Sequence, residues 1–419
     1  MRKKKGLIVF ILVIVILLII MYFIKGHKEK DYLVFNENLF LSGGYGLYML
    51  DDSAEVIESS EIANLFIDGK FTNASNILRE LLKREDIKGN SQKELEVLNA
   101  LGIIQTSHGN FEDAQIIYDQ AFEYLDHNEQ LENSCIAAKL YNNYAILIYG
   151  EFNKEQAIES CNKALGILEE LDDPIAQLVV EANLIEFETG LRNQLVEAKN
   201  ENIKPAEQIL RKERDLLGSN QIIGVHMYLL LSDTYTGLSK YSKAESSLRK
   251  AELIIKKGGK MYRLLGFSQE LSTGVLYLSR GDYDEAVRQF RNAYDEAEPL
   301  LGNKNHLVAY LSRNLGAVYL HMDEDALGLE YSIRALEGFS NYRSRRGLWG
   351  NIATAYYSLN EYKEAEKYAF MAYNAAIEME HVSTEKYRKL LEFIYESRKI
   401  TEVFEDWLED GLENTDILN

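Results

Sequence analysis

The chain is short of the residues that several fold and function classes require. Its 419 residues hold three prolines, Pro174, Pro205 and Pro299, too few for the many turns of an all-β chain this long. Two cysteines, Cys135 and Cys161, cannot build a disulfide framework, and no CxxC or Cys/His cluster points to zinc. The seven histidines form no HExxH pair, no GxSxG precedes a plausible triad, and Gly43-Gly44-Tyr45-Gly46 lacks the Lys-Ser/Thr of a phosphate loop. The sequence therefore predicts no enzyme, no cofactor and no metal. Positive charge is also scarce. Residues 1–30 hold seven basic residues and one acidic residue, which leaves the other 389 with 39 basic and 65 acidic, a formal −26. A body of that sign is repelled by phosphate backbones, so nucleic acid is excluded as a partner.

What the chain does have begins at its N-terminus. Arg2, Lys3, Lys4 and Lys5 precede an uncharged apolar run from Leu7 to Ile24. Those 18 residues make a helix of about 27 Å at about 1.5 Å per residue, close to the hydrocarbon thickness of a bilayer. No small-residue cleavage site ends the run, so it reads as a retained anchor, not a cleaved signal. Four basic side chains on the N-terminal flank face Lys25, Lys28 and Lys30 on the other, which predicts a cytoplasmic N-terminus and an extracytoplasmic body.

The body repeats itself. Gly274, Tyr277, Tyr283, Ala286, Phe290 and Ala293 set a frame that returns at Gly102, Phe111, Ala114, Tyr118 and Ala121. It returns again at Ser232, Tyr235, Tyr241, Ala244, Leu248 and Ala251, and at Trp349, Ala353, Tyr356, Tyr362, Ala365, Ala369 and Ala372. Weaker copies run through Ala145, Ala157 and Ala164, through Gly316, Tyr319, Gly328 and Ala335, and through Phe66, Phe71, Ala74 and Leu78. In each strong copy a small residue is followed 12 positions later by a second, and 7 later by a third. The first lies mid-helix, where a partner must approach closely; the others share one face of the next helix, two turns apart. Aromatics fill the space between, which predicts antiparallel helix pairs that stack on one another.

These marks resemble the tetratricopeptide repeat family over roughly residues 55–382, with most units 37 to 43 residues apart instead of the common 34. The longer unit is similar to those of kinesin light chain and of bacterial peptide-sensing regulators. The expected fold is all-α: a right-handed α-solenoid of about eight helix pairs behind one transmembrane helix. The domains read as 1–30, anchor with basic flank; 31–54, a juxtamembrane linker holding a packed cap, a short hairpin or a docking segment; 55–382, the array; 383–398, a capping helix; and 399–419, an acidic tail that is disordered or folds back into the groove. Within the array, residues 175–218 are irregular: a long first helix through Phe187, a polar stretch near Asn200–Asn202, then a second helix opened by Pro205. Cys161, at a bulky packing position, reads as a buried small hydrophobe.

The resemblance implies that the first helix of each pair lines a concave, ligand-binding surface. Carried over position by position, it points to Asn99, Lys139, Asn142 and Asn143 in the early units, and to His226, Asp233, Arg313, Asn314 and Asn351 later. Asparagine amides can bond both donors and acceptors of an extended peptide backbone. A second feature is Arg343, Arg345 and Arg346 at the start of the helix that contains Trp349. Basic residues there oppose the helix dipole, and with Arg313 they form a candidate anion or carboxylate site. The expected partners are a protein or peptide ligand, and the membrane through residues 7–24. The expected role is a membrane-anchored scaffold or adaptor that assists envelope or secreted proteins. A peptide-sensing receptor, or a cytoplasm-facing docking platform if the topology is reversed, are the alternatives.

Overall fold

The computed structural model describes residues 34, 35, 46, 47, 62, 64–66, 68–150, 153–189, 199–218, 222–258, 262–339, 342–379, 381 and 383–414. The apolar run at 7–24 lies outside them, as does most of 31–54. Among the described residues no helix is long and apolar enough to cross a membrane. From the linker a strand pair is described, β1 (Val34–Phe35) antiparallel to β2 (Gly46–Leu47), with Val34 opposite Leu47. The rest is helical.

The helices fall into antiparallel pairs. They are α1 (Phe71–Leu81), α2 (Ser91–His108), α3 (Phe111–Asp126), the single turn α4 (Glu129–Glu132), α5 (Cys135–Gly150), α6 (Lys154–Glu170), α7 (Pro174–Thr189), α8 (Ile203–Leu217), α9 (Ile222–Gly237), α10 (Tyr241–Gly258), α11 (Arg263–Arg280), α12 (Tyr283–Leu301), α13 (His306–His321), α14 (Asp325–Ala335), α15 (Tyr342–Ser358), α16 (Tyr362–Glu378), α17 (Thr384–Arg398) and α18 (Phe404–Glu413). The pairs are α2–α3, α5–α6, α7–α8, α9–α10, α11–α12, α13–α14 and α15–α16, and each packs on the next. Helical residues at 62 and 64–66 precede α1 as the start of an earlier pair.

Local chemistry sets the ends. The Asn90 side chain accepts from the Lys93 N–H at 3.2 Å, that of Asn153 from the Gln156 N–H at 3.3 Å, and that of Asn305 from the Leu307 N–H at 3.0 Å, which caps α2, α6 and α13. The expected small-against-large packing is present. A Cβ at Gly102 would sit 2.6 Å from the Tyr118 ring, and one at Gly274 would strike Phe290. Tyr118 and Phe290 are fully buried, so truncating either to alanine removes a core contribution of about 3–5 kcal/mol.

First and second helices differ in burial. Helix α3 buries one stripe, Phe111, Ala114, Ile117, Tyr118, Ala121 and Leu125, at helical spacing. Helix α2 is buried without a break from Val97 to Ser107, and α9 from Ile222 to Thr236 except at Tyr228 and Asp233. A helix buried on every side has neighbours on every side. Some of those neighbours come from far along the chain. Asn305 Nδ2 donates to the Ser107 carbonyl at 2.8 Å, Phe111 packs against His306 with ring centroids 4.3 Å apart and the rings tilted, and Gly109 lies against the Lys304 carbonyl. Gly109 has φ +79°, and a side chain there would meet both backbone strain and that carbonyl. The array thus returns on itself, the α2–α3 turn meeting the loop before α13.

The irregular unit resolves into α7, a 3-10 turn at Asn200–Asn202, and α8 with Pro205 in its first turn. Beyond the last pair, α17 packs on α16. Helix α18 sets Trp407 against Phe370 and Tyr395, at 5.0 and 5.4 Å between centroids. Cys161 is fully buried, which pushes its thiol pKa up and keeps it protonated.

Candidate functional site

The first helices bring the predicted asparagines together, but not toward a ligand. Asn143 Nδ2 donates to Asn99 Oδ1 at 3.0 Å, Asn142 Nδ2 to Asn143 Oδ1 at 3.0 Å, and Asn183 Nδ2 to Asn142 Oδ1 at 2.8 Å. All four are buried, so the relay ties α2, α5 and α7 together inside the protein. This corrects the expectation that Asn99, Asn142 and Asn143 line an open surface: they are buried and bond to one another, with Asn99 Nδ2 left over. Asn183 was not singled out from sequence. Its signal is register, since Asn99, Asn142 and Asn183 each stand three residues before the close-packing position of their helix, at 102, 145 and 186.

His226 is corrected likewise. It is fully buried on α9, with Nε2 4.0 Å from the equally buried Glu186 carboxylate on α7. Burial holds its pKa well below the ordinary value, against the bond to the Ala182 backbone that favours the charged ring. The ring is therefore neutral and joins two helices. Lys139, Asp233, Asn314 and Asn351 stay half-buried on α5, α9, α13 and α15. Asn314 Nδ2 donates to the Tyr310 carbonyl of its own helix at 2.7 Å.

The arginines behave differently. Arg313 on α13 places its guanidinium 4.4 Å from the centroid of Tyr310 and 5.9 Å from that of Phe339. Arg346 on α15 is 5% exposed. Its Nη1 donates to Ser383 Oγ at 2.6 Å, the Tyr387 hydroxyl on α17 accepts a further bond, and Nε has no acceptor. Arg345 Nε donates to the Phe339 carbonyl at 2.7 Å. Burial lowers the pKa of all three, and the like charge of Arg346 lowers that of Arg313 further. No carboxylate among the described residues pairs with any of them. Arg313 and Arg346 thus lie on neighbouring helices and their charges act on one another. Arg343 lies in the first turn of α15, and its side chain is outside the described set.

A second feature had no sequence signal. Between α8 and α10, over α9, lies a cleft of about 420 Å³, rimmed by Arg211, Arg214, Lys243 and Lys250 and floored by Tyr228 and Tyr235. Lys250 sits 5.2 Å from the Tyr228 centroid and Lys243 5.5 Å from that of Tyr235. Glu213, 3% exposed, accepts from the Gly224 N–H at 2.6 Å. Burial raises its pKa to about 7 against the pull of that bond. The cleft between α3, α5 and α6 has a similar volume, about 460 Å³, but is lined by Asp126, Glu132 and Glu170 with Lys163.

Comparison with known proteins agrees with the geometry. No curated protein matches the chain. Among solved structures, a Rap protein complexed with Competence and Sporulation Factor is similar at 14% identity and a TM-score of 0.50, covering 84% of this chain and 97% of that one. BtubC from P. vanneervenii is similar at 18% identity and a TM-score of 0.39, over 54% of this chain and 92% of its own. A tetratricopeptide repeat protein from Parabacteroides merdae ATCC 43184 is similar at 17% identity and a TM-score of 0.30, over 80% and 96%. The tetratricopeptide repeat family matches residues 225–257, which are α9 and α10 and the turn that joins them. That pair is one unit of a tetratricopeptide-type helical array whose other pairs repeat its packing.

Proposed function

We propose that this chain is a membrane-anchored scaffold that binds a protein or peptide through its first helices, without catalysis of its own. Residues 7–24 cross the bilayer, the N-terminus is cytoplasmic, and the array works outside the cytoplasm on envelope or secreted proteins. One observation carries the binding role. Along the row of first helices, where most residues are buried outright, Lys139, Asp233, Arg313, Asn314 and Asn351 remain half-exposed on four of them, α5, α9, α13 and α15. Polar side chains spread over several units suit an extended segment, whose N–H and C=O groups need partners along its length. The complex of a similarly folded Rap protein with Competence and Sporulation Factor supports a binding role.

Photo-crosslinking groups placed at Asp233 and Asn351 of the full chain in membranes should capture the same polypeptide. A group at Leu253, 60% exposed on α10, should not. Equal capture from Leu253 would overturn the first-helix assignment. Protease added to intact cells should remove a C-terminal tag; a tag protected until lysis would reverse the orientation and make the array a cytoplasmic platform. The contact of Asn305 with Ser107 favours one further reading, a peptide-sensing receptor, because a closed turn can tighten or open on binding. That reading predicts a change in radius of gyration with ligand.

A further inference from the structure

We propose that Arg313 and Arg346, backed by Ser383 and Tyr387, form a binding site for a carboxylate carried by the ligand of the array. The proposal rests on the scaffold reading for the ligand, but on its own geometry for the anion.

The first argument is valence. A guanidinium is donor-only, with five N–H groups and no acceptor, so two of them cannot satisfy each other. Arg346 is buried, and its Nε has no acceptor. Ser383 and Tyr387 accept from it but leave its charge uncompensated. Arg313 holds its charge over the Tyr310 ring, near Arg346 and away from any described carboxylate. Burying a cation without a counter-ion costs several kcal/mol. The chain is rich in acidic residues, yet among the described ones no carboxylate pairs with either guanidinium.

The second argument is position. Arg313 on α13 and Arg346 on α15 come from first helices of consecutive units, the row that carries the proposed ligand track, and Tyr387 comes from α17, which stacks after them. An anion seated there would bond two forks on neighbouring helices, and the planar fork matches a carboxylate in bidentate fashion. A carboxylate is favoured over phosphate because its single charge enters an acidic body at lower cost.

The test uses the full chain in lipid nanodiscs and two capped amino acids as probes, N-acetyl-glutamate amide and its glutamine isostere, at fixed ionic strength. Thermal unfolding should shift up by about 2 °C or more with the glutamate probe and not with the glutamine probe. Arg313→Gln and Arg346→Gln should each abolish the shift. Arg334→Gln, which removes a cation already paired with Glu330 at 2.7 Å, should leave it intact. Arg313→Met carries a second readout without ligand: relieved of a half-buried charge that no described carboxylate offsets, it should unfold at or above the parent temperature. A marked fall would make Arg313 a packing residue and overturn the site. A shift equal for both probes, or unchanged in the glutamine variants, would also overturn it, as would a response to inorganic phosphate alone. Failure of the crosslinking at Asp233 and Asn351 would sink the scaffold reading and leave this result standing.

Discussion

The asparagine relay at one end of the first-helix row and Arg313 of the arginine pair at the other occupy the same repeat register. Asn99, Asn142 and Arg313 each stand three residues before the small residue of their helix, Gly102, Ala145 and Gly316. The asparagines and Arg346 are taken out of water, and Arg313 is partly so. The amides close on themselves because each has a donor and an acceptor, which leaves one open donor at Asn99 Nδ2. The guanidiniums have no acceptor to offer and stay open. The difference lies in the side chain, not in the backbone. In a repeat array, register decides where a polar group goes, and its hydrogen-bond valence decides whether the fold or a ligand completes it.

The largest expected effect comes from exchanging the two. Asn142→Arg puts a donor-only cation into the relay, removes the acceptor for Asn183 and leaves an uncompensated charge. It should destabilise the chain by about 3–5 kcal/mol, read as a drop in unfolding midpoint. Adding Asn143→Asp supplies a carboxylate beside it and should recover part of the loss. If Asn142→Arg is tolerated alone, the relay is not closed to water and the contrast with Arg313 fails.

A carboxyl offers a third solution, since protonation changes it from acceptor to donor. Glu213 is buried with its pKa raised from an ordinary 4.5 to about 7. Between those values the folded state binds more protons than the unfolded one, so stability falls as pH rises. The favourable contribution is complete below about pH 4.5 and is lost as pH rises through about 7. Two and a half pKa steps amount to at most about 3 kcal/mol. Glu213→Gln mimics the protonated form. It should match the parent near pH 5 and be more stable than it near pH 8, in unfolding midpoints measured at both. A parent that is the more stable at pH 8 would mean that the Gly224 N–H holds Glu213 as an anion.

Much of this was legible in the sequence, and the part that was not has a common cause. The helix pairs could be read because their determinants are close in the chain: Gly102 and Tyr118, or Gly274 and Phe290, lie one hairpin apart. Arg313 and Arg346 could be suspected because they stood out in an acidic body. The burial of Asn99, Asn142, Asn143 and His226 could not be read, because it depends on how each unit rotates on the last. The contact of Asn305 with Ser107, 198 residues apart, is the extreme case. Asn183 escaped because its unit lacks the small residue that marks the frame. Helix α18 escaped because five acids among its ten residues mask the apolar spacing of Phe404, Trp407, Leu408 and Leu412.

The smallest expected effect sharpens the comparison most. Asn143 and Asn314 are the same residue type in the same register, each two places before its small residue, Ala145 and Gly316. Asn143 is buried and bonds across helices to Asn99; Asn314 is half-exposed and donates only to the Tyr310 carbonyl of its own helix. A back-bond of that kind competes with water and adds little. Asn314→Ala should therefore change stability by no more than about 0.5 kcal/mol. The same substitution should weaken capture of the segment crosslinked from Asp233 and Asn351, because the half-exposed amide remains available to an extended backbone. Equal losses in stability and capture would mean that Asn314, like Asn143, belongs to the fold. A loss in capture alone would place the boundary between structural and ligand-facing polar groups at solvent access, not at register.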